Sequence, residues 1–164
     1  MSSLTADEIK VITDAAQTYF GRLTRKAAHV SAAFLAEQGE LPEFDYTGLI
    51  RISGTYRGCV YFTAPKLMMR YLLLSVGETL QGDEIFMDAA GEIANTIAGN
   101  ARRHFGEKME ISVPTTMKAT TLTDLARTGN GPVLRERPMV IRIQWQALAA
   151  ALVVDLESAL PGPA

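Results

Sequence analysis

A chain of 164 residues is long enough to bury one sizeable core and short for two, so residues 1–164 are expected to form a single domain. Sixteen Lys and Arg against eighteen Asp and Glu leave a formal net charge of −2, which excludes the strongly basic footprint of a nucleic-acid binder. The lone cysteine, Cys59, excludes an intrachain disulfide and a cysteine-based zinc cluster, and reads as a small core residue in a reducing compartment.

The N-terminal "MSSLTADEIK" carries acids where a secretory signal needs bases and an apolar run. The longest apolar stretch, Ala147 to Val154, falls far below the roughly 18 residues of a membrane span, so a soluble, cytoplasmic protein without membrane association is expected. Thr5 and Glu8 form a capping box, with Leu4 and Ile9 placed as a hydrophobic staple. The helix they open repeats Ile9, Ile12, Ala16, Tyr19, Phe20 and Leu23 at spacings of three and four, and is predicted to end near Leu23. Ala27 to Ala36 reads as a strand, with Val30 and Phe34 in phase, although its alanines are also compatible with a continued helix. After the loop "LPEFDY", Leu49–Ser53 and Gly58–Thr63 are β-rich runs joined through "GTYR", a hairpin. Pro65 then opens a second helix, "PKLMMRYLLLSVGE", which Gly77 stops.

Asp83 suits the N-cap of a third, longer helix reaching about Glu107. "MEISVPTT" follows as a strand, and Thr120 to Pro138 is a polar, Gly/Pro-punctuated excursion rather than a domain boundary. Ile141, Ile143 and Trp145 alternate with polar neighbours as a half-buried strand, and Leu148 to Leu156 alternates again into a last one. Helices and strands in mixed order with hairpins predict an α+β fold, long helices packed on a mostly antiparallel sheet.

The third helix carries the residues that ask for explanation. On a wheel, Asp88, Glu92, Asn95, Thr96, Gly99 and Arg103 gather on one side, opposite Phe86, Ala90, Ile93, Ala94, Ile97, Ala101 and Phe105. Glu92 and Asn95, three apart, present a carboxylate and a carboxamide together. Gly91 and Gly99 each cost about 1 kcal/mol relative to Ala in a helix interior. At Gly99 that cost is consistent with another backbone approaching the polar stripe. Such residues on one helix face are usually just a solvated surface, and the wheel alone does not decide between the two. His29 and His104 have no Ser or Cys placed beside them as a nucleophile, "SGTYRG" lacks the ending of a phosphate-cradling loop, and Met68, Met69 and Leu72 to Leu74 read as core. No carboxylate or histidine cluster has ligand spacing, so no metal is expected. Arg102 and Arg103 fit either an acidic partner surface or a solvated helix end.

"DAAGEIANTIAGNARRHFG", with Asp88-x3-Glu92-x2-Asn95, resembles the signature of the CheC/CheX/FliY chemotaxis phosphatases, and CheX in particular, with its single Glu-x-x-Asn copy. "TGLIRISGTYRGCVYFTAPKLMMRYL" is similar to the family's hairpin and following helix, and "ISVPTT" with the closing strands to its second half. Pro114 is the candidate for the proline that the family's longer pattern places after the Asn. The resemblance implies a CheX-like fold, a homodimer, and hydrolysis of the aspartyl phosphate on a CheY-like response regulator. Glu92 would contact the partner's active-site lysine and Asn95 would orient the attacking water. Asp88, Thr96 and Gly99 would lie in the partner contact. Mg2+ would stay on the partner's receiver domain, and this chain would bring no cofactor. Two alternatives stand beside it: a CheX-like module that docks on a receiver domain or flagellar switch component without hydrolysis, and a regulatory module whose partner lies outside chemotaxis.

Overall fold

The structure, a computed structural model, describes residues 4–37, 41–118 and 138–159. Its elements run α1 (Ala6–Thr24), β1 (Ala28–Leu35), β2 (Tyr46–Gly54), β3 (Tyr56–Ala64), α2 (Lys66–Ser75), α3 (Asp83–Phe105), β4 (Met109–Ile111), β5 (Thr115–Lys118), β6 (Met139–Trp145) and β7 (Leu148–Ser158). The strands form one seven-stranded sheet in the order β1-β6-β7-β3-β2-β4, with β5 also paired to β2, and every pairing is antiparallel.

Local sequence sets most of these elements. The capping box forms, with the Glu8 N–H donating to Thr5 Oγ1 and the Thr5 N–H to Glu8. At the other end of α1, Thr24 is buried. Its hydroxyl donates to the Phe20 carbonyl and accepts the Trp145 indole N–H at 3.0 Å, which gives a buried aromatic donor its partner. Ala28–Leu35 is a strand, not a continued helix, because Arg25 takes a left-handed conformation (φ 59°) that ends α1.

Four elements differ from the sequence expectation. Pro65 is the N-cap of α2 rather than its first helical residue. Asp83 is the first residue of α3, and Gly82 takes the N-cap. "MEISVPTT" is two strands: β4 pairs with Ile52–Gly54 and β5 with Tyr46–Leu49 along one edge of β2. Between them Pro114 has no N–H to give to a ladder, while Ser112 holds on by accepting from the Arg51 N–H and donating its own N–H to the Arg51 carbonyl. In β7, finally, every residue from Ala150 to Glu157 is buried, where alternation had been expected. The reason is its place between β3 and β6, with both faces covered. The expected excursion lies outside the described residues except for Pro138.

All three helices pack on one face of the sheet. Ile12, Ala16 and Phe20 of α1, Met68, Met69 and Leu72 of α2, and Phe86, Ile93 and Ile97 of α3 share a core with Ile50, Val60, Phe62, Ile141, Leu152 and Val154. The other face buries Leu49, Cys59, Tyr61, Val140 and Val153, with Leu41 and Phe44 against them. There Arg57 and Glu157, opposite each other in the β3–β7 register, form an ion pair at 3.5 Å. The long buried arc of α3 matters most for function, because it fixes which side of that helix faces out.

Candidate functional site

α3 is one continuous 23-residue helix. Its buried residues, Phe86, Ala90, Gly91, Ile93, Ala94, Ile97, Ala98 and Ala101, form the arc against β2 and α1. Alanine and glycine dominate that arc and bring the backbone close to the sheet. The opposite arc presents Asp88, Glu92 and Asn95, all exposed, with Thr96 and Gly99 half-buried beside them.

The closest approach lies under the polar stripe. A β-carbon on Gly48 of β2 would stand 2.6 Å from the Cα of Gly91, and one on Gly91 would stand 2.6 Å from Thr116 Cγ2 and 3.2 Å from Pro114 Cβ. Gly91 therefore has a structural reason inside the chain. Gly99 has none among the described residues: a β-carbon there would meet nothing within 4 Å.

Because Gly91 admits Pro114 and Thr116 so near, the β4–β5 segment rises beside α3. An open groove of about 400 Å³ results, lined by Asp88, Gly91, Glu92 and Asn95 on the helix and by Pro114 and Thr116 opposite. The structure thus joins three of the sequence-derived site residues, Asp88, Glu92 and Asn95, with Pro114. Thr96 and Gly99 lie outside the groove lining, further along the same helix. Thr116 was missed; its only sequence signal was its place after Pro114, and the contact with Gly91 is not local.

A second ion pair holds the groove wall. Lys118, at the end of β5, reaches Asp83 Oδ2 at 2.6 Å, and the Tyr46 hydroxyl donates to the other oxygen of the same carboxylate. The Lys118 ammonium, and then the Tyr46 hydroxyl, hold Asp83 below its ordinary value of 3.8. Asp83 therefore joins β2, β5 and the first turn of α3, which is why it is not spent as a cap.

The electrostatics of the groove are one-sided. Asp88 and Glu92 are four apart on α3, a spacing at which like charges repel, and among the described residues neither has an ion-pair partner. Behind Glu92 stands Tyr19 of α1, which the sequence reading had placed only in the apolar repeat. Burial, helped by the Glu92 carboxylate, pushes its phenol up to about 12, so it stays neutral. Arg102 is committed elsewhere: Nε donates to the Met109 carbonyl at 2.6 Å and the guanidinium also reaches that of Glu107. Arg103, His104 and His29 are exposed. Cys59 is buried. Among the described residues no group of three or more His, Cys, Asp or Glu is arranged to hold a metal ion, and no helix is long and apolar enough to cross a membrane.

An antiparallel sheet carrying three helices on one face is the fold of CheX/CheC-like chemotaxis proteins. The fold is similar to that of the chemotaxis protein CheX from Vibrio vulnificus, with a TM-score of 0.76, 18% identity, and 93% of this chain and 100% of that one covered. It is also similar to a chain of the CheX–CheY–BeF3–Mg2+ complex from Borrelia burgdorferi, with a TM-score of 0.67, 12% identity, and coverage of 94% and 100%. FliY from Thermotoga maritima shares it as well, with a TM-score of 0.57, 16% identity, and coverage of 96% and 93%. No curated protein matches the sequence. The family model described as chemotaxis phosphatase CheX matches residues 46–134, more than half of the chain, and the chain belongs to that family.

Proposed function

We propose that this chemotaxis phosphatase acts on the aspartyl phosphate of a CheY-like response-regulator receiver domain, with Glu92 contacting the partner's active-site lysine and Asn95 orienting the attacking water. The observation that carries the reading is the joint exposure of Glu92 and Asn95 on one face of α3, at the mouth of a groove.

The chemistry asks little covalent work of the protein. An acyl phosphate is already activated. Water attacks phosphorus in line, the bond from phosphorus to the aspartyl oxygen breaks, the carboxylate leaves with the electron pair, and inorganic phosphate departs with the water's oxygen and a proton lost to solvent. Positioning and fixed dipoles supply most of the acceleration in such transfers. A carboxamide offers a donor and an acceptor without titrating, so Asn95 can hold a water's orientation across the physiological range. Among the described residues Glu92 has no cation partner, and it has a like charge at Asp88, so an incoming ammonium would relieve a repulsion as well as gain a partner. The Borrelia burgdorferi complex, in which a CheX of the same fold is bound with CheY and beryllofluoride, a stand-in for the phosphoryl group, supports a receiver domain as the occupant.

In this reading Asp88, Thr96 and Gly99 extend the partner contact along the helix. Magnesium sits on the receiver domain, where it neutralises the phosphoryl oxygens, and the phosphatase contributes no metal or cofactor. The protein is a single cytoplasmic domain and a homodimer. The outer edge of β1, at the end of the sheet, and the exposed Leu67, Tyr71 and Leu74 on α2 are the surfaces that would join two copies. The experiment that tests the reading mixes the protein with phosphorylated receiver domains from its own genome and follows phosphate loss. Acceleration over spontaneous decay supports it. Binding without acceleration turns it into a docking module.

A further inference from the structure

The groove has two walls, and the phosphatase signature describes only the helical one and its proline. The opposite wall includes Thr116, half-buried on β5, whose hydroxyl has no hydrogen-bond partner among the described residues. Three features fix where that side chain stands. Its methyl seats against Gly91, where a β-carbon would come within 2.6 Å of Cγ2. Pro114, two residues earlier, packs on the same glycine, with 3.2 Å to the same notional carbon. Two residues later, Lys118 clamps the strand to the first turn of α3 through Asp83. The strand is thus tied to the helix on both sides of Thr116, and the groove's width depends on one missing methyl group.

We propose that Thr116 is a partner-binding residue, and Gly91 the residue that positions it. The Thr116 hydroxyl makes a hydrogen bond to the receiver-domain loop that enters the groove between it and the Glu92–Asn95 pair. This rests on the receiver-docking reading above and adds to it the second wall of the same site. The size of the groove agrees: about 400 Å³ is room for one or two side chains of a loop. So does its charge, two carboxylates facing a neutral hydroxyl across a space that, among the described residues, no cation lines, which suits a loop carrying an ammonium beside polar groups.

The geometry dictates a rescue experiment, read as affinity for a receiver domain loaded with beryllofluoride and Mg2+. Thr116→Val keeps the shape and strand preference but removes the hydroxyl, and is expected to weaken binding about two- to tenfold. Thr116→Ser keeps the hydroxyl and is expected to bind like the parent. Gly91→Ala, whose new methyl displaces Thr116 and presses on Pro114, is expected to weaken binding at least as much as Thr116→Val. The double variant Gly91→Ala/Thr116→Ser removes the methyl that collides and is expected to recover most of the loss. Thermal melts of all four variants separate folding from docking: a merely structural role for Gly91 predicts that affinity falls and recovers only in step with stability, and that Thr116→Val binds like the parent. Parent-like affinity of Thr116→Val, or a double variant no better than Gly91→Ala, overturns the proposal. The phosphatase reading is judged separately, by phosphate loss with the parent protein. Binding without hydrolysis removes that reading and leaves the Thr116 result standing, whereas a parent that binds no receiver domain removes both.

Discussion

Gly48 of β2 lies so close to Gly91 of α3 that Gly48 has no room for a side chain: a β-carbon on it would lie 2.6 Å from the Cα of Gly91 and against the carbonyl of Ala90. Both obstacles are backbone, which no rotamer change relieves. Gly48→Ala should therefore force α3 off the sheet at a cost of about 1–3 kcal/mol, in the range of overpacked cores. Urea melts measure it. Unchanged stability would mean that the helix does not sit where the groove requires.

Asp88 and Glu92 should show stability and function pulling in opposite directions. Asp88→Asn removes an i,i+4 repulsion worth about 0.2–0.5 kcal/mol while leaving helix propensity nearly unchanged. The variant should be slightly more stable and bind the receiver domain more weakly. Equal or tighter binding in a titration would remove Asp88 from the contact.

A β-carbon on Gly99 would meet nothing within 4 Å among the described residues, so a side chain can leave the helix there without a clash at its root. Gly99→Trp should melt close to the parent and dock more weakly, because it obstructs a partner laid along the stripe. Parent-like affinity would show that the partner does not extend that far.

Asp83 gives a pH signature. Its carboxyl is held below 3.8, first by Lys118 and then by Tyr46. The pairing therefore contributes stability above that value and loses it as pH falls through the lowered folded value. Lys118→Met should move the Asp83 titration, followed by carboxyl NMR, back up toward 3.8. No movement would contradict the clamp on the groove wall.

What could be read in the sequence was what depends on neighbours along the chain. The 3.6-residue repeat of Phe86, Ala90, Ile93, Ala94 and Ile97 determined which arc of α3 is buried, and so that Glu92 and Asn95 face out together. The capping box at Thr5 and Glu8 is equally local. Their proposed roles came from the resemblance, since a wheel cannot tell a catalytic pair from a solvated one. Asp83 looked like an N-cap because capping is a local preference, but two tertiary partners, Tyr46 and Lys118, took its carboxylate. The split of "MEISVPTT" turns on where β2 lies, and the burial of β7 on the strand order. Gly91 could be seen as costly from sequence, yet its reason lies in Pro114 and Thr116, which are distant along the chain.

The central claim is that Asn95 places water while Glu92 also holds the partner, and it is tested most directly by measuring binding and dephosphorylation of one cognate phospho-receiver for both alanine variants. Both exchange an exposed helix residue for the strongest helix former, so unfolding is not expected to intervene. Asn95→Ala should bind nearly as the parent and hydrolyse about 10²–10³-fold more slowly, the usual loss of one positioned polar group. Glu92→Ala should lose both, because its removal strands the partner's ammonium in the contact. An Asn95→Ala protein that dephosphorylates the receiver as fast as the parent would contradict the account.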